Sequence, residues 1–256
     1  MRLRRGVRPW AMLLLDGSIL MDSDSLESER ALAARGLSRL RGAARAKASP
    51  GHAPASGGEH GPVSQKAPAA GGLRILVAGL GLGITLRELL GAQEIEWIDV
   101  IEIMAPLVEW NRGVLTALNG DPLADPRVHC RVADLRAVLL PRGLGDDAQP
   151  PRSSPARPMG YEMGYDLMLF DIDNGPGWLS RPENAWLYRA PGLAAVRAHL
   201  RIGGWASYWS SEPDADFEAV LAAARWGRWM REPLRSCVTG RSRVLTYHLY
   251  WLKREA

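Results

Sequence analysis

Cysteine is scarce in this chain, with two in 256 residues. Cys130 and Cys237 cannot build a disulfide framework. Neither stands in the spacing of a ligand set, so no metal is expected. Also missing is any apolar run near the ~20 residues that span a bilayer. Residues 1–15 have the basic opening of a secretory leader, but the apolar stretch is short and ends at Asp16 without a small-residue cleavage site. A cytoplasmic protein with no membrane partner is the expectation. Charge of one sign is only mildly in excess: 32 Lys and Arg against 28 Asp and Glu give +4. No module of interleaved aromatic and basic residues accompanies that excess, which argues against a nucleic-acid partner. What the chain does have, 46% hydrophobic and 23% charged residues, suits a globular protein large enough to bury a core without staples.

The N-terminal part reads as a hairpin and a helix, over residues 1–41. An apolar run at 10–15 meets the turn dipeptide Asp16-Gly17 and resumes at 18–21. From 25 to 41, Glu, Arg, Ala and Leu recur with helical spacing, and Ser25 or Ser28 can cap that helix. Residues 42–72 are Ala, Gly, Pro, Ser and His without periodicity, the composition of a flexible linker. Residues 141–163 read as a mobile surface insertion.

Strand and helix signals alternate through 73–256, which reads as a nucleotide-binding catalytic domain. Strands are expected at 73–78, 95–103, 127–132, 165–170 and 204–209. Helices are expected at 84–90, 106–118, 184–200 and 214–224, with Pro191 a candidate interruption. Residues 228–234 and 243–252 close the chain as a strand pair. The class is therefore α/β and Rossmann-like, a mostly parallel sheet covered on both faces, with an antiparallel edge.

Four places carry chemistry. Gly79, Gly81 and Gly83 follow the first sheet strand and precede a helix, where missing side chains let backbone turn tightly and approach a nucleotide. Glu102 ends the next strand, about 20 residues on, where a carboxylate can accept ribose hydroxyls; Asp99, inside the strand, is the competing candidate. Asp134 follows the third strand and either accepts the adenine amine, with Leu135 packing on the base, or caps a helix. The fourth strand runs into Asp171, Asp173, Asn174 and a Gly-Pro loop. That delivers carboxylates to the sheet edge where open α/β sheets bind ligands. A carboxylate there can hold a cationic substrate and take its proton, and Trp178 can wall the same pocket. Against this stands a plain turn in which Asp171 and Asn174 satisfy the backbone.

In these residues the chain resembles the spermidine synthases, the polyamine aminopropyltransferases. Gly79-Leu80-Gly81-Leu82-Gly83-Ile84 with Leu86-Arg87-Glu88 resembles the family's glycine loop, and Val100-Ile101-Glu102-Ile103 its Val-Glu-Ile. Asp125-Pro126-Arg127-Val128, Asp134, Asp171 to Pro176, Leu187-Tyr188 and the run from Leu200 to Gly204 match in order. The resemblance implies the fold of S-adenosylmethionine-dependent methyltransferases, with decarboxylated S-adenosylmethionine or S-adenosylmethionine as co-substrate. It also implies a polyamine such as putrescine as acceptor, a homodimer, and Asp171 as the group that orients and deprotonates the amine. Two positions depart from the family. Leu82 replaces the loop aspartate that holds the aminopropyl ammonium, and Asn174 replaces the second aspartate of the acceptor loop. The family's Gln and Tyr-His pair has no clear counterpart between Ser18 and Arg30, although Glu27 and Glu29 are acidic and nearby. These departures keep methyl transfer and a catalytically altered nucleotide-binding homologue open beside aminopropyl transfer.

Overall fold

The computed structural model describes residues 2–4, 10–15, 17–48, 72–140, 164–224, 226–237 and 244–255. The expected insertion at 141–163 and most of the expected linker lie outside the described residues. No described helix is long and apolar enough to cross a membrane.

The chain opens with a small antiparallel sheet of β1 (Arg2–Arg4), β2 (Trp10–Leu15) and β3 (Ser18–Asp22). The hairpin turns at Gly17, whose φ of 83° suits a residue without a Cβ. Helix α1 (Glu27–Ala48) follows, running seven residues past the helix boundary expected at Arg41. Its compositional change to Gly and Ala does not stop it, because Ala is the best helix former.

The main sheet has seven strands. β4 (Leu73–Ala78), β5 (Ile95–Glu102), β6 (Val128–Val132), β7 (Tyr165–Phe170) and β8 (Leu200–Ser210) pair in parallel in the order β6-β5-β4-β7-β8. β10 (Val244–Arg254) adds antiparallel to β8, and β9 (Gly227–Cys237) to β10, so the expected antiparallel edge is there. The order reverses between β4 and β7, the crevice where ligands bind in such sheets.

β4 and β7 are almost wholly apolar because both faces are covered. On one face Ile75, Val77, Leu167, Leu169 and Trp251 pack against Leu32, Ala33 and Leu37 of α1 and against Leu86 and Leu89 of α2 (Ile84–Leu90). On the other, Leu76, Ala78, Met168, Phe170 and Tyr250 meet Leu139 of α5 (Leu135–Leu139), Leu193 and Val196 of α6 (Ala190–His199), and Phe217 and Leu221 of α7 (Ala215–Ala223). Each Leu, Ile, Val, Met or Phe among them contributes ~1.5–3 kcal/mol on leaving water.

Two helix expectations are corrected. The stretch at 106–118 divides into α3 (Ala105–Arg112) and α4 (Thr116–Asn119), because Gly113 ends the first. Residues 184–200 are a 3-10 turn (Pro182–Tyr188) followed by α6. Pro191 lies in the first turn of α6, where its missing N–H costs nothing, so it starts the helix instead of interrupting it.

Candidate functional site

The carboxyl ends of β4, β5, β6 and β7 surround a cavity of about 360 Å³. Gly79, Gly81, Glu102, Asp134, Leu135, Asp171, Asp173 and Asn174 all line it. Gly83 and Trp178 do not.

The turn after β4 is built from three left-handed glycines. At Gly79 (φ 90°) an added Cβ would collide with the backbone carbonyl of Asp171, and at Gly81 (φ 52°) it would come within 2.8 Å of Met21 Sδ. Gly83 turns away from the cavity; its α-carbon faces Asn111 Oδ1 and Asn119 Nδ2. Those two amides hold the turn from outside, with Asn111 Nδ2 donating to the Gly81 carbonyl (2.9 Å) and Asn119 Nδ2 to that of Leu82 (3.1 Å). Leu82 is fully buried beneath the small sheet, packed with Ala11, Leu13, Ile84, Leu107 and Leu115. The position where the resembled family carries an aspartate is thus a core position here.

Glu102 is buried, and its two oxygens accept from the backbone amides of Leu80 (2.9 Å) and Met104 (2.8 Å). A carboxylate has about four acceptor directions, so capacity remains for hydroxyl donors in the cavity. Asp99, its competitor, is sealed in the sheet and takes the Tyr165 hydroxyl and the Trp97 indole N–H, each at 2.9 Å. Asp134 caps α5, accepting from the Arg136 amide at 2.8 Å, and still borders the cavity. The two readings of Asp134 are therefore compatible in one position.

The loop after β7 separates its carboxylates. Asp173 Oδ1 accepts from the Ser180 amide (2.7 Å), the Ser180 hydroxyl (2.6 Å) and Asn184 Nδ2 (2.9 Å), while Tyr188 OH lies 3.4 Å from Oδ2. It ties its loop to the 3-10 turn at Pro182–Tyr188. The Asn174 carbonyl is held by the amide (3.0 Å) and hydroxyl (2.6 Å) of Ser211, leaving its side chain on the cavity wall. Trp178 is 67% exposed and stands outside.

Asp171 is half-buried and lines the cavity. Burial pushes its carboxyl up to about 6, against a hydrogen bond from Thr85 that lowers it. Glu29, on α1, lines the same cavity and is 7% exposed. Burial first, then the Asp171 charge, push Glu29 up to about 7, with the Ser28 hydroxyl (2.8 Å) opposing. Glu27, two residues earlier, faces the other way and accepts from Ser236 Oγ at 2.6 Å. The sequence offered both glutamates as acidic neighbours; helical geometry selects Glu29. Met21, Trp186, Trp209 and Arg181 also line the cavity, and no local pattern marks them. Among the described residues, no three His, Cys, Asp or Glu side chains gather as a metal site.

No family model matches the chain. Among solved structures it is similar to a spermidine synthase from Thermotoga maritima, with a TM-score of 0.58 and 14% identity over 99% of this chain and 72% of that one. A spermidine synthase in complex with the transition state analogue AdoDATO gives 0.56 and 13% over the same shares of each chain. Human methyltransferase-like protein 13 in complex with SAH gives 0.44 at 20% identity, over 71% of this chain and 72% of that one. At these identities the likeness is one of fold. The chain shares with the two spermidine synthases a Rossmann-like architecture, a mostly parallel sheet covered by helices.

Proposed function

We propose that this protein transfers an alkyl group from an adenosyl sulfonium to an amine, and specifically an aminopropyl group from decarboxylated S-adenosylmethionine to a polyamine such as putrescine. The observation that carries this reading is the charge of the cavity wall. Among the described residues, Glu29, Glu102, Asp134, Asp171 and Asp173 border it against one guanidinium, that of Arg181. Such a wall suits a sulfonium and an ammonium together, and it suits poorly a co-substrate that retains its own carboxylate.

In this mechanism the adenosyl part lies along the Gly79–Gly81 turn, with Glu102 accepting from the ribose and Asp134 and Leu135 beside the base. An alkyl ammonium has an ordinary pKa near ~10.4, so at neutral pH it carries a proton and is no nucleophile. Asp171 accepts that proton. The freed lone pair bonds to the carbon next to sulfur, and the C–S pair departs onto sulfur as a neutral thioether. The sulfonium is already an activated leaving group, so the protein contributes alignment and proton transfer. Asn174 lies beside the acceptor as a neutral wall group. Trp178 and Asp173 take no direct part in this scheme, one being outside the cavity and the other saturated by its own loop.

One observation favours a second reading, methyl transfer from intact S-adenosylmethionine. Leu82 is sealed in a core, so the glycine turn presents no carboxylate to an aminopropyl ammonium. Thermal shifts with the decarboxylated donor, intact S-adenosylmethionine and methylthioadenosine separate the two, together with product analysis on putrescine. Preference for the decarboxylated donor with an aminopropylated product is the expected result. Preference for the intact donor moves the assignment to methyl transfer, and no shift with any of them removes the transferase reading. Asp171→Asn is expected to lower turnover by roughly 10²–10⁴-fold while leaving methylthioadenosine affinity within about twofold. Equal loss of both would remove Asp171 from the proton step.

A further inference from the structure

The buried and half-buried carboxylates of the cavity are of two kinds. Asp173 takes three hydrogen bonds of 2.9 Å or shorter, and Glu102 takes two backbone amides. Glu29 and Asp171 are not supported in this way. Glu29 is served by the hydroxyl of its own neighbour Ser28 and by its own backbone amide. Asp171 is served by Thr85, whose hydroxyl oxygen also lies 3.4 Å from the Glu29 carbonyl. The hydroxyl has one proton, and Asp171 is the stronger acceptor for it. The charged groups acting on Glu29 are Asp171, from the end of β7, and Asp22, from β3; both are carboxylates. Two like charges lining one cavity repel each other unless something positive enters between them.

We infer that Glu29 and Asp171 form a two-carboxylate receptacle for one alkylammonium nitrogen, in which Glu29 holds the cation while Asp171 accepts its proton. This rests on the transfer reading above for its proton step, but the cation site itself does not depend on the donor. The division of labour follows from placement. Asp171 sits on the Gly79 turn, its carbonyl against the Gly79 α-carbon, and so is next to the donor's reacting carbon in that reading. Glu29 lines the same cavity from α1 and is the ammonium's counter-charge once the pair's proton has left. The ligand class is a primary or secondary aliphatic amine, and an uncharged molecule of the same shape is rejected.

The site makes a measurable prediction without turnover. In the free protein the pair retains a proton near pH 6.5, because ionising both carboxyls is unfavourable. An entering ammonium removes that penalty, so binding expels the proton. Isothermal titration of the full chain with putrescine, in two buffers of different ionisation enthalpy, reads this directly. Wild type is expected to release close to one proton per putrescine at pH 6.5. Glu29→Gln is expected to weaken putrescine at least tenfold and cut the release severalfold, to the fraction that Asp171 alone retains, with methylthioadenosine affinity unchanged. Glu29→Asp, which retains the charge on a shorter arm, is expected to keep part of both. Unchanged putrescine affinity and proton release in Glu29→Gln would overturn the inference, as would 1,4-butanediol binding as well as putrescine. If wild type ignores methylthioadenosine, the transfer reading fails, and the putrescine titration run without nucleotide still decides the receptacle.

Discussion

Gly79 and Gly81 are bare for different reasons. The missing Cβ at Gly79 makes room for backbone, the carbonyl of Asp171, whereas at Gly81 it makes room for the flexible tip of Met21. Backbone cannot step aside and a thioether can. Gly79→Ala is therefore expected to lower stability by roughly 3 kcal/mol or more, from the left-handed φ and the collision together. Gly81→Ala is expected to cost roughly 1 kcal/mol while weakening adenosyl ligands about tenfold, because Met21 is displaced into the cavity it lines. Urea melts and methylthioadenosine titrations on both variants check the contrast; equal stability loss would refute it. The sequence made the bareness of both positions legible from strand, glycines and helix in succession. It left hidden what lies against them, since Met21 and Asp171 are distant in the chain. The carboxylates of the acceptor loop show the same limit. Asp171 and Asp173 look alike in sequence, and only the donors brought by Ser180 and Asn184 show which of them is already satisfied.

Helix α1 carries Glu29 at one end, and its position depends on how its far part grips the sheet. Arg39 does this. Its guanidinium lies 4.4 Å from the Trp251 ring centroid and 5.3 Å from that of Trp205, and it pairs with Glu232 at 2.7 Å. Burial lowers its pKa, so the aromatic faces and Glu232 offset a desolvation cost. Arg39→Ala is expected to destabilise by roughly 1–3 kcal/mol, read by urea melts, and to weaken putrescine by less than Glu29→Gln does. A larger effect on putrescine than that of Glu29→Gln would mean the helix position, and not the Glu29 charge, sets amine affinity. Such long-range anchoring is invisible in a local pattern, although the helix itself was legible from its 3.6-residue spacing. Elements with sharp local boundaries, such as β4, β7 and α2, read correctly to the residue. Where a glycine or a 3-10 turn breaks a helical pattern without changing its periodicity, as at Gly113 and at Pro182–Tyr188, the local pattern merges two elements.

At the scale of the whole molecule, alternating strands and helices made a mostly parallel sheet legible, and the final strand pair gave its antiparallel edge. Two things were not legible. One is β1, a third strand in the small sheet, drawn from residues whose composition reads as a basic leader. The other is that the small sheet and α1 close over the carboxyl ends of the main sheet, so that Met21 and Glu29 complete a cavity begun by β4, β5 and β7. That closure links the site to global stability. Folding buries Glu29 and Asp171 and raises both carboxyls, to about 7 and about 6, so the folded chain binds more protons than the unfolded one above the ordinary carboxylate range. When the native state binds the extra protons, unfolding free energy falls as pH rises. This pair's contribution is therefore fully present at acidic pH and is lost from about pH 4 up to about pH 7. Other groups shift the opposite way, Asp125 and Glu94 being lowered, so the test is a difference between variants. Urea midpoints at pH 5 and pH 7.5 are expected to fall more for wild type than for Glu29→Gln, which has one fewer carboxyl to ionise. Saturating putrescine is expected to flatten the wild-type slope, because an ammonium between the carboxylates makes their ionised form the stable one. A wild-type slope that putrescine leaves unchanged would mean that the cation does not reach the pair.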